Sequence, residues 1–287
     1  MKEVLPVNAF KNAVSAMCRH PFIVLYMALI SFAVGIINYY NPAMGVILSL
    51  SGFQTDNIFS SIIHIMQFIL NPAILLKILI YAPVRIVLLS IIFALVFSGY
   101  FYVVNNLVNN SGKVKGAFIR GIKRHFFKTL YMFIVSLFLI LLYAFFVSVC
   151  IIPMLAISRS FYDGSYELLL PMIFTCVITV FVVFFSSMFL KIYLYLWYPA
   201  SFNFPKKSFL NAKETADRYF WRTTGAFILF DMVFYIVKGS LIYLRYFLLK
   251  GNLSSDIALF ALEWVFDTLF FALFITYGFS AFRKLRE

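Results

Sequence analysis

Between Phe22 and Ala281 the chain carries six runs of 19 to 26 predominantly apolar residues, and nothing else in it limits the possible folds so severely. The runs are Phe22 to Tyr40, Val84 to Val104, Phe127 to Ile152, Leu168 to Leu190, Gly225 to Leu249 and Ile257 to Ala281. A hydrocarbon layer about 30 Å thick is crossed by roughly 20 residues of helix, and in lipid a helix satisfies its own backbone. A soluble reading fails on composition. With 63% hydrophobic residues, 37 phenylalanines and only 12% charged residues, the chain could not cover a water-exposed surface. The expected fold class is an all-α polytopic membrane protein with six transmembrane helices.

The last two runs contain charges, and the placement of the remaining charges argues for counting them. Lys2, Lys11 and Arg19 precede the first run, and Lys113, Lys115, Arg120, Lys123, Arg124 and Lys128 join the second to the third. Lys206, Lys207, Lys213, Arg218 and Arg222 join the fourth to the fifth, and Arg283, Lys284 and Arg286 follow the sixth. Six spans put all of these on one side, which the positive-inside rule makes the cytoplasm, with both termini cytoplasmic in a plasma (inner) membrane. The opposite connections carry Asp56, Asp163, Glu167 and Asp256. The first run is expected to serve as its own insertion signal, since no Ala-x-Ala cleavage site follows it. A net charge of +13 spread over four juxtamembrane segments fits anionic lipid as partner and not nucleic acid.

Every second run is introduced by a related basic segment. Arg19-His20-Pro21-Phe22-Ile23-Val24-Leu25-Tyr26-Met27 and Arg124-His125-Phe126-Phe127-Lys128-Thr129-Leu130-Tyr131-Met132 share six of nine positions. A looser third copy places Arg218, Phe220, Thr223 and Phe227 against Arg124, Phe126, Thr129 and Phe133, with Trp221 for Phe127 and Arg222 for Lys128. The chain thus reads as one membrane domain of three tandem elbow-plus-hairpin units, about residues 7–104, 113–190 and 207–281. Upstream of each span the apolar residues recur with helical spacing. Phe10, Ala13, Val14, Met17 and Cys18 oppose Lys11, Asn12, Ser15 and Arg19; Val114, Ala117, Phe118, Gly121 and Ile122 oppose Lys113, Lys115, Arg120 and Lys123. In the third unit Phe209, Ala212, Ala216, Tyr219 and Phe220 oppose Asn211, Lys213, Glu214 and Arg218. Each is expected to be an elbow helix in the cytoplasmic interface that turns into a span, its bases meeting anionic lipid. Docking of a cytoplasmic protein partner is the alternative use of these faces.

The connection from Asn41 to Ala73 is the one long excursion, with apolar pieces too short to cross, and it is expected to be interfacial or re-entrant. Its two Asn-Pro-Ala tripeptides, at Asn41 and Asn71, read as helix starts with an Asn cap and Pro in the first helical position.

The charges of the last hairpin are the candidates for chemistry. Asp231, Lys238 and Arg245 recur every seven residues near one face of the fifth span, and Glu263 and Asp267 share a face of the sixth. At 1.5 Å per residue from the hairpin tip, Lys238 and Asp267 lie roughly 16 and 15 Å deep, and Arg245 and Glu263 roughly 6 and 9 Å. Ion pairs Lys238–Asp267 and Arg245–Glu263 are expected, with Asp231 left to Arg222 or Lys191. Charges inside a membrane are costly and point to a substrate or proton path, while satisfied pairs that hold the hairpin together are the competing explanation.

Enzyme signatures are missing: the chain has no His-Glu-x-x-His, Gly-x-Ser-x-Gly or Walker sequence, so no catalytic residue, metal ligand or cofactor is expected. Its three histidines include His20 and His125, equivalent positions of the elbow. Cys18, Cys150 and Cys176 have neither metal-site nor redox spacing and are expected to pack as small hydrophobes.

Asn8-Ala9-Phe10 through Arg19-His20-Pro21-Phe22, the basic elbow from Gly116 to Arg124 and the segment from Lys213 to Gly225 resemble the pattern of uncharacterised bacterial six-helix proteins akin to the membrane domain of glycerophosphodiester phosphodiesterases. That resemblance implies the six-helix fold and residence in a bacterial plasma membrane, and no activity. The six-helix size and N-terminal elbow also resemble the permease subunits of some bacterial exporters. The leading functional expectation is a small transporter or permease-type subunit with a charged path through the last hairpin. The alternative is a non-transporting scaffold or lipid-associated component acting through the elbows.

Overall fold

A computed structural model describes residues 5–40, 72–109, 116–162, 164–204, 207–244 and 253–286. Among them the chain is helical throughout. The helices are α1 (Leu5–Arg19), α2 (Phe22–Tyr40), α3 (Pro72–Val108), α4 (Ala117–Tyr162), α5 (Leu169–Asn203), α6 (Ser208–Tyr243) and α7 (Leu253–Arg286), with a 3-10 turn at Tyr166–Leu168. Five, α3 to α7, are long and apolar enough to cross a membrane, and α1 with α2 forms a bent pair that brings the number to six. Each of α3 to α7 extends past its apolar run at one end or both, since the runs mark only the part that suits lipid. Pro72 is the first residue of α3, where its missing N–H leaves no bond unmade. The excursion over residues 41–71 lies outside the described residues.

Two compact units divide the chain. The first takes Met1–Tyr40, Ala94–Thr129 and Lys191–Glu287; the second takes Asn41–Phe93 and Leu130–Leu190.

In the first unit α7 is the element on which the others pack. Ala9 and Ala13, four apart and fully buried, lay α1 against Tyr277 and Ala281 of α7 and Phe230 of α6. Small residues at this crossing let the helices approach closely, as membrane interfaces require when hydrophobic association is weak. Along α2, Ser31 and Thr268 share a hydrogen bond of 2.7 Å and Trp264 donates its indole N–H to the Ala28 carbonyl at 2.8 Å. Between α6 and α7 the contact is aromatic: Phe230 meets Phe270, Phe274 and Tyr277, and Phe234 meets Phe266 and Phe270. Tyr195 of α5 lies on Gly278, where an added Cβ would come within 2.5 Å of its ring, and its hydroxyl donates to the Phe274 carbonyl. A second close crossing joins α3 to α4, because a Cβ on Gly121 would stand 3.0 Å from the Gly99 Cα and 2.7 Å from Tyr102 Cβ.

In the second unit Phe93 packs on Phe133, and the Tyr143 hydroxyl donates to the Val183 carbonyl at 2.9 Å. The turn after α4 needs Gly164 at φ +110°, a conformation that side-chain-bearing residues rarely adopt.

The three elbows differ. Between α1 and α2 the chain turns by 89°. Pro21 cannot donate and keeps His20 out of helical geometry, so the helix must stop there. At the aligned position of the third copy, Tyr219 departs from helical geometry (φ −122°, ψ 22°) and kinks α6 without a proline. The Thr223 hydroxyl donates to the Tyr219 carbonyl at 3.0 Å, a back-bond of the kind that bends helices. In the second copy α4 runs unbroken through His125 into its span, contrary to the expectation of a separate elbow there. Phe126 stands where Pro21 does, and the hydroxyl of Thr129, the counterpart of Thr223, is buried without a hydrogen-bond partner among the described residues. The proline that interrupts the first copy is therefore absent from the second.

Candidate functional site

The first unit carries two concentrations of charge. One is inside the last hairpin. Residue spacing sets Lys238 on α6 facing Glu263 and Asp267, which sit one turn apart on α7. The lysine ammonium donates to Glu263 Oε1 at 2.7 Å and to Asp267 Oδ2 at 2.8 Å, with side-chain exposures of 18, 30 and 21%. It also lies 5.9 Å from the Phe234 ring centroid. Asp267 Oδ1 is buried and has no hydrogen-bond partner among the described residues. Arg245, which spacing would give to Glu263, lies outside the described residues. The reason one lysine takes both acids is periodicity: residues four apart on a helix share a face, so a cation level with one reaches the other.

Asp231 bonds to the ammonium of Lys191 on α5, which also lies over the rings of Phe227 and Phe274, 5.3 and 5.9 Å from their centroids. Arg222, the other cation considered for Asp231, is exposed one turn past the kink of α6. Each charge described inside the hairpin therefore has an opposite charge against it. A single cation shared by two carboxylates with one oxygen left over can hold a proton or bind a cation, and it can equally fasten two helices.

The second concentration is at the elbows. Lys11 and Arg19 on α1, Arg120, Lys123 and Arg124 on α4, and Lys213, Arg218 and Arg222 on α6 are all exposed; Lys115 lies outside the described residues. Three residues after each aligned arginine stands a large exposed aromatic: Phe22 at 57%, Phe127 at 82% and Trp221 at 72%. Two basic residues are drawn inward to helix ends instead. Lys128 donates to the carbonyls of Ser201 and Phe204 at the end of α5, and Arg283 donates to that of Val108, the last residue of α3. Carbonyls at a helix C-terminus lack partners and carry negative potential, so a cation satisfies them twice over.

Beside α1 lies a cavity of about 340 Å³ whose lining includes Asn12, Ser15, Arg19, His20, Ser280, Arg283 and Lys284. Sequence reasoning assigned Arg283 and Lys284 only to the basic tail. Ser280, Arg283 and Lys284 fall at i, i+3 and i+4, so a shared face was readable, but not that α1 lies against it. The described residues bring no three His, Cys, Asp or Glu side chains together as a metal site would. Comparison of the chain with family models, with curated proteins and with solved structures finds no match.

Proposed function

We propose that this chain is a multi-pass protein of a bacterial plasma membrane, with both termini cytoplasmic, that engages the anionic inner leaflet through its elbows as a lipid-associated component. The observation that carries the reading is the recurring pair of an exposed arginine and an exposed aromatic three residues later: Arg19 with Phe22, Arg124 with Phe127, Arg218 with Trp221. Aromatic rings prefer the headgroup level and cations the anionic surface, so such a pair suits a membrane interface whether the helix bends there, as at His20, or runs on, as at His125. On α1 the division is sharper still. Ala9 and Ala13 face protein while Val7, Phe10 and Val14 are exposed on an adjoining stripe that suits lipid. Residence with related six-helix proteins, as the sequence resemblance implies, agrees with this use.

The test is lipid selectivity. Full-length protein extracted from vesicles of equal phosphatidylglycerol and phosphatidylcholine should retain an excess of phosphatidylglycerol by native mass spectrometry. Arg124→Gln with Arg218→Gln should reduce that excess about five-fold per arginine, at the roughly 1 kcal/mol that a basic residue contributes near an anionic surface. Unchanged selectivity would overturn the reading. Orientation is checked on the exposed Cys18, which an impermeant thiol reagent should reach only from the cytoplasmic side.

A transporter or permease-type role is the second reading, and the buried Asp267 Oδ1 favours it, because an acid oxygen without a partner among the described residues is a place for a moving proton. Asp267→Asn that stays folded and abolishes proton flux into proteoliposomes would support it; proteoliposomes without flux would dismiss it.

A further inference from the structure

Within the second unit, the hairpin of α4 and α5 sets two cysteines and two methionines at matching levels. The Tyr143 hydroxyl of α4 donates to the Val183 carbonyl of α5 at 2.9 Å, and at the turn the Phe161 and Tyr166 rings meet with centroids 5.9 Å apart. Phe161 is 18 residues on from Tyr143 and Tyr166 is 17 back from Val183, so the antiparallel helices stay in step between the two contacts. α4 runs unbroken past Pro153 and keeps its phase. Seven residues from Tyr143 and from Val183 stand Cys150 and Cys176; eleven residues from them stand Met154 and Met172. On a helix of 3.6 residues per turn, both steps return a side chain to within about 20° of the starting face. The cysteine and methionine levels are one turn apart, about 6 Å. Burial agrees with this phase. All four residues are half-buried, whereas Val149 and Ile152 on α4 and Phe174 and Val177 on α5 are exposed. Ser158 and Thr179, on the same two arcs, are buried.

We propose that this hairpin binds a soft monovalent metal ion, Cu(I), between Cys150 and Met154 of α4 and Cys176 and Met172 of α5. Thiolate and thioether sulfurs select Cu(I), whereas Cu(II) prefers nitrogen and oxygen. Zinc sites are built from thiolate, imidazole and carboxylate, so a pair of thioethers selects against zinc. Along the chain the two cysteines have no metal-site spacing; the antiparallel register supplies it, with Cys-x-x-x-Met on one helix facing Met-x-x-x-Cys on the other. Methionine suits the task because three rotatable bonds let its sulfur turn toward an ion without moving the helix. Binding converts one thiol to thiolate and releases its proton, and copper stays in the +1 state. One thiolate, one thiol and two thioethers around Cu(I) make a group with no net charge, which costs least within an apolar span. The site is independent of how the elbows meet lipid.

The experiment titrates the full-length protein in phosphatidylcholine nanodiscs with Cu(I) under anaerobic reducing conditions, in competition with a chromophoric Cu(I) chelator. One ion should be retained per chain. Cys150→Ser and Cys176→Ser should each weaken retention at least about ten-fold, a loss that even a change outside the ligand shell can bring. Met154→Leu and Met172→Leu keep the packing volume and should each weaken retention while removing one sulfur from the copper shell seen by X-ray absorption. Cys18→Ser, on α1, should change neither. A single symmetric elution peak for each ion-free variant shows that it has folded, and if a serine variant fails this check the leucine variants decide. Plain packing of small hydrophobes, the use that the sequence suggests for these cysteines, predicts no retained copper. No retention against the chelator, or a copper shell of nitrogen and oxygen, overturns the site. So does a loss on Cys18→Ser equal to that of the hairpin variants. Retention and sulfur count unchanged in both leucine variants would overturn the four-sulfur arrangement, and preference for Zn(II) over Cu(I) would overturn the choice of ion.

Discussion

Replacing Lys238 by methionine removes a cation that two carboxylates share and keeps the aliphatic bulk. At 2.7 and 2.8 Å, each contact carries about 6 kcal/mol of attraction if the effective dielectric constant is about 20. Desolvation offsets much of this, since the three side chains are only 18 to 30% exposed. The single variant takes the lysine from both Glu263 and Asp267, and breaking a buried pair from one side costs about 3–5 kcal/mol. The triple variant Lys238→Met, Glu263→Gln, Asp267→Asn removes the three charges of these contacts together and is expected to be more stable than the single variant, because their attraction and desolvation vanish as one. Titration with sodium dodecyl sulfate, followed by tryptophan fluorescence, reads both; Trp264 stands beside the cluster and is held to the Ala28 carbonyl. A single variant costing less than about 1 kcal/mol would refute the claim that the lysine fastens the hairpin, and so would a triple variant as unstable as the single.

Gly121→Ala places a Cβ 2.7 Å from Tyr102 Cβ and 3.0 Å from backbone atoms of Ser98 and Gly99 that cannot yield, so it should cost about 1–3 kcal/mol in the same titration. Gly225→Ala meets nothing within 4 Å and should instead be neutral or stabilising by up to about 1 kcal/mol. Ala13→Leu overfills the fully buried contact of α1 with α7 and should release α1, broadening the distance distribution between spin labels at Val7 and Ile36; an unchanged distribution would show that the 89° turn alone positions the helix.

The amino-acid sequence by itself determined the helices and the medium they suit. Apolar runs long enough to span lipid leave the backbone no other way to satisfy its polar groups, and α2 begins and ends at the same residues, Phe22 and Tyr40, as its run. Depth along a helix was legible for the same reason, because a constant rise puts Lys238 level with Asp267. The elbow pattern was legible as a pattern, but its bends were not. Pro21 announces one break, whereas no proline or glycine marks the kink at Tyr219. Tertiary structure alone decided partners separated widely in the chain: Lys191 for Asp231, the Ser201 carbonyl for Lys128, and Arg19 gathered with Arg283 and Lys284 around one cavity. Periodicity reports which face a residue occupies on its own helix. Which helix that face meets is set by close packing of small residues such as Ala9, Ala13 and Gly278, whose effect lies in the side chain they lack.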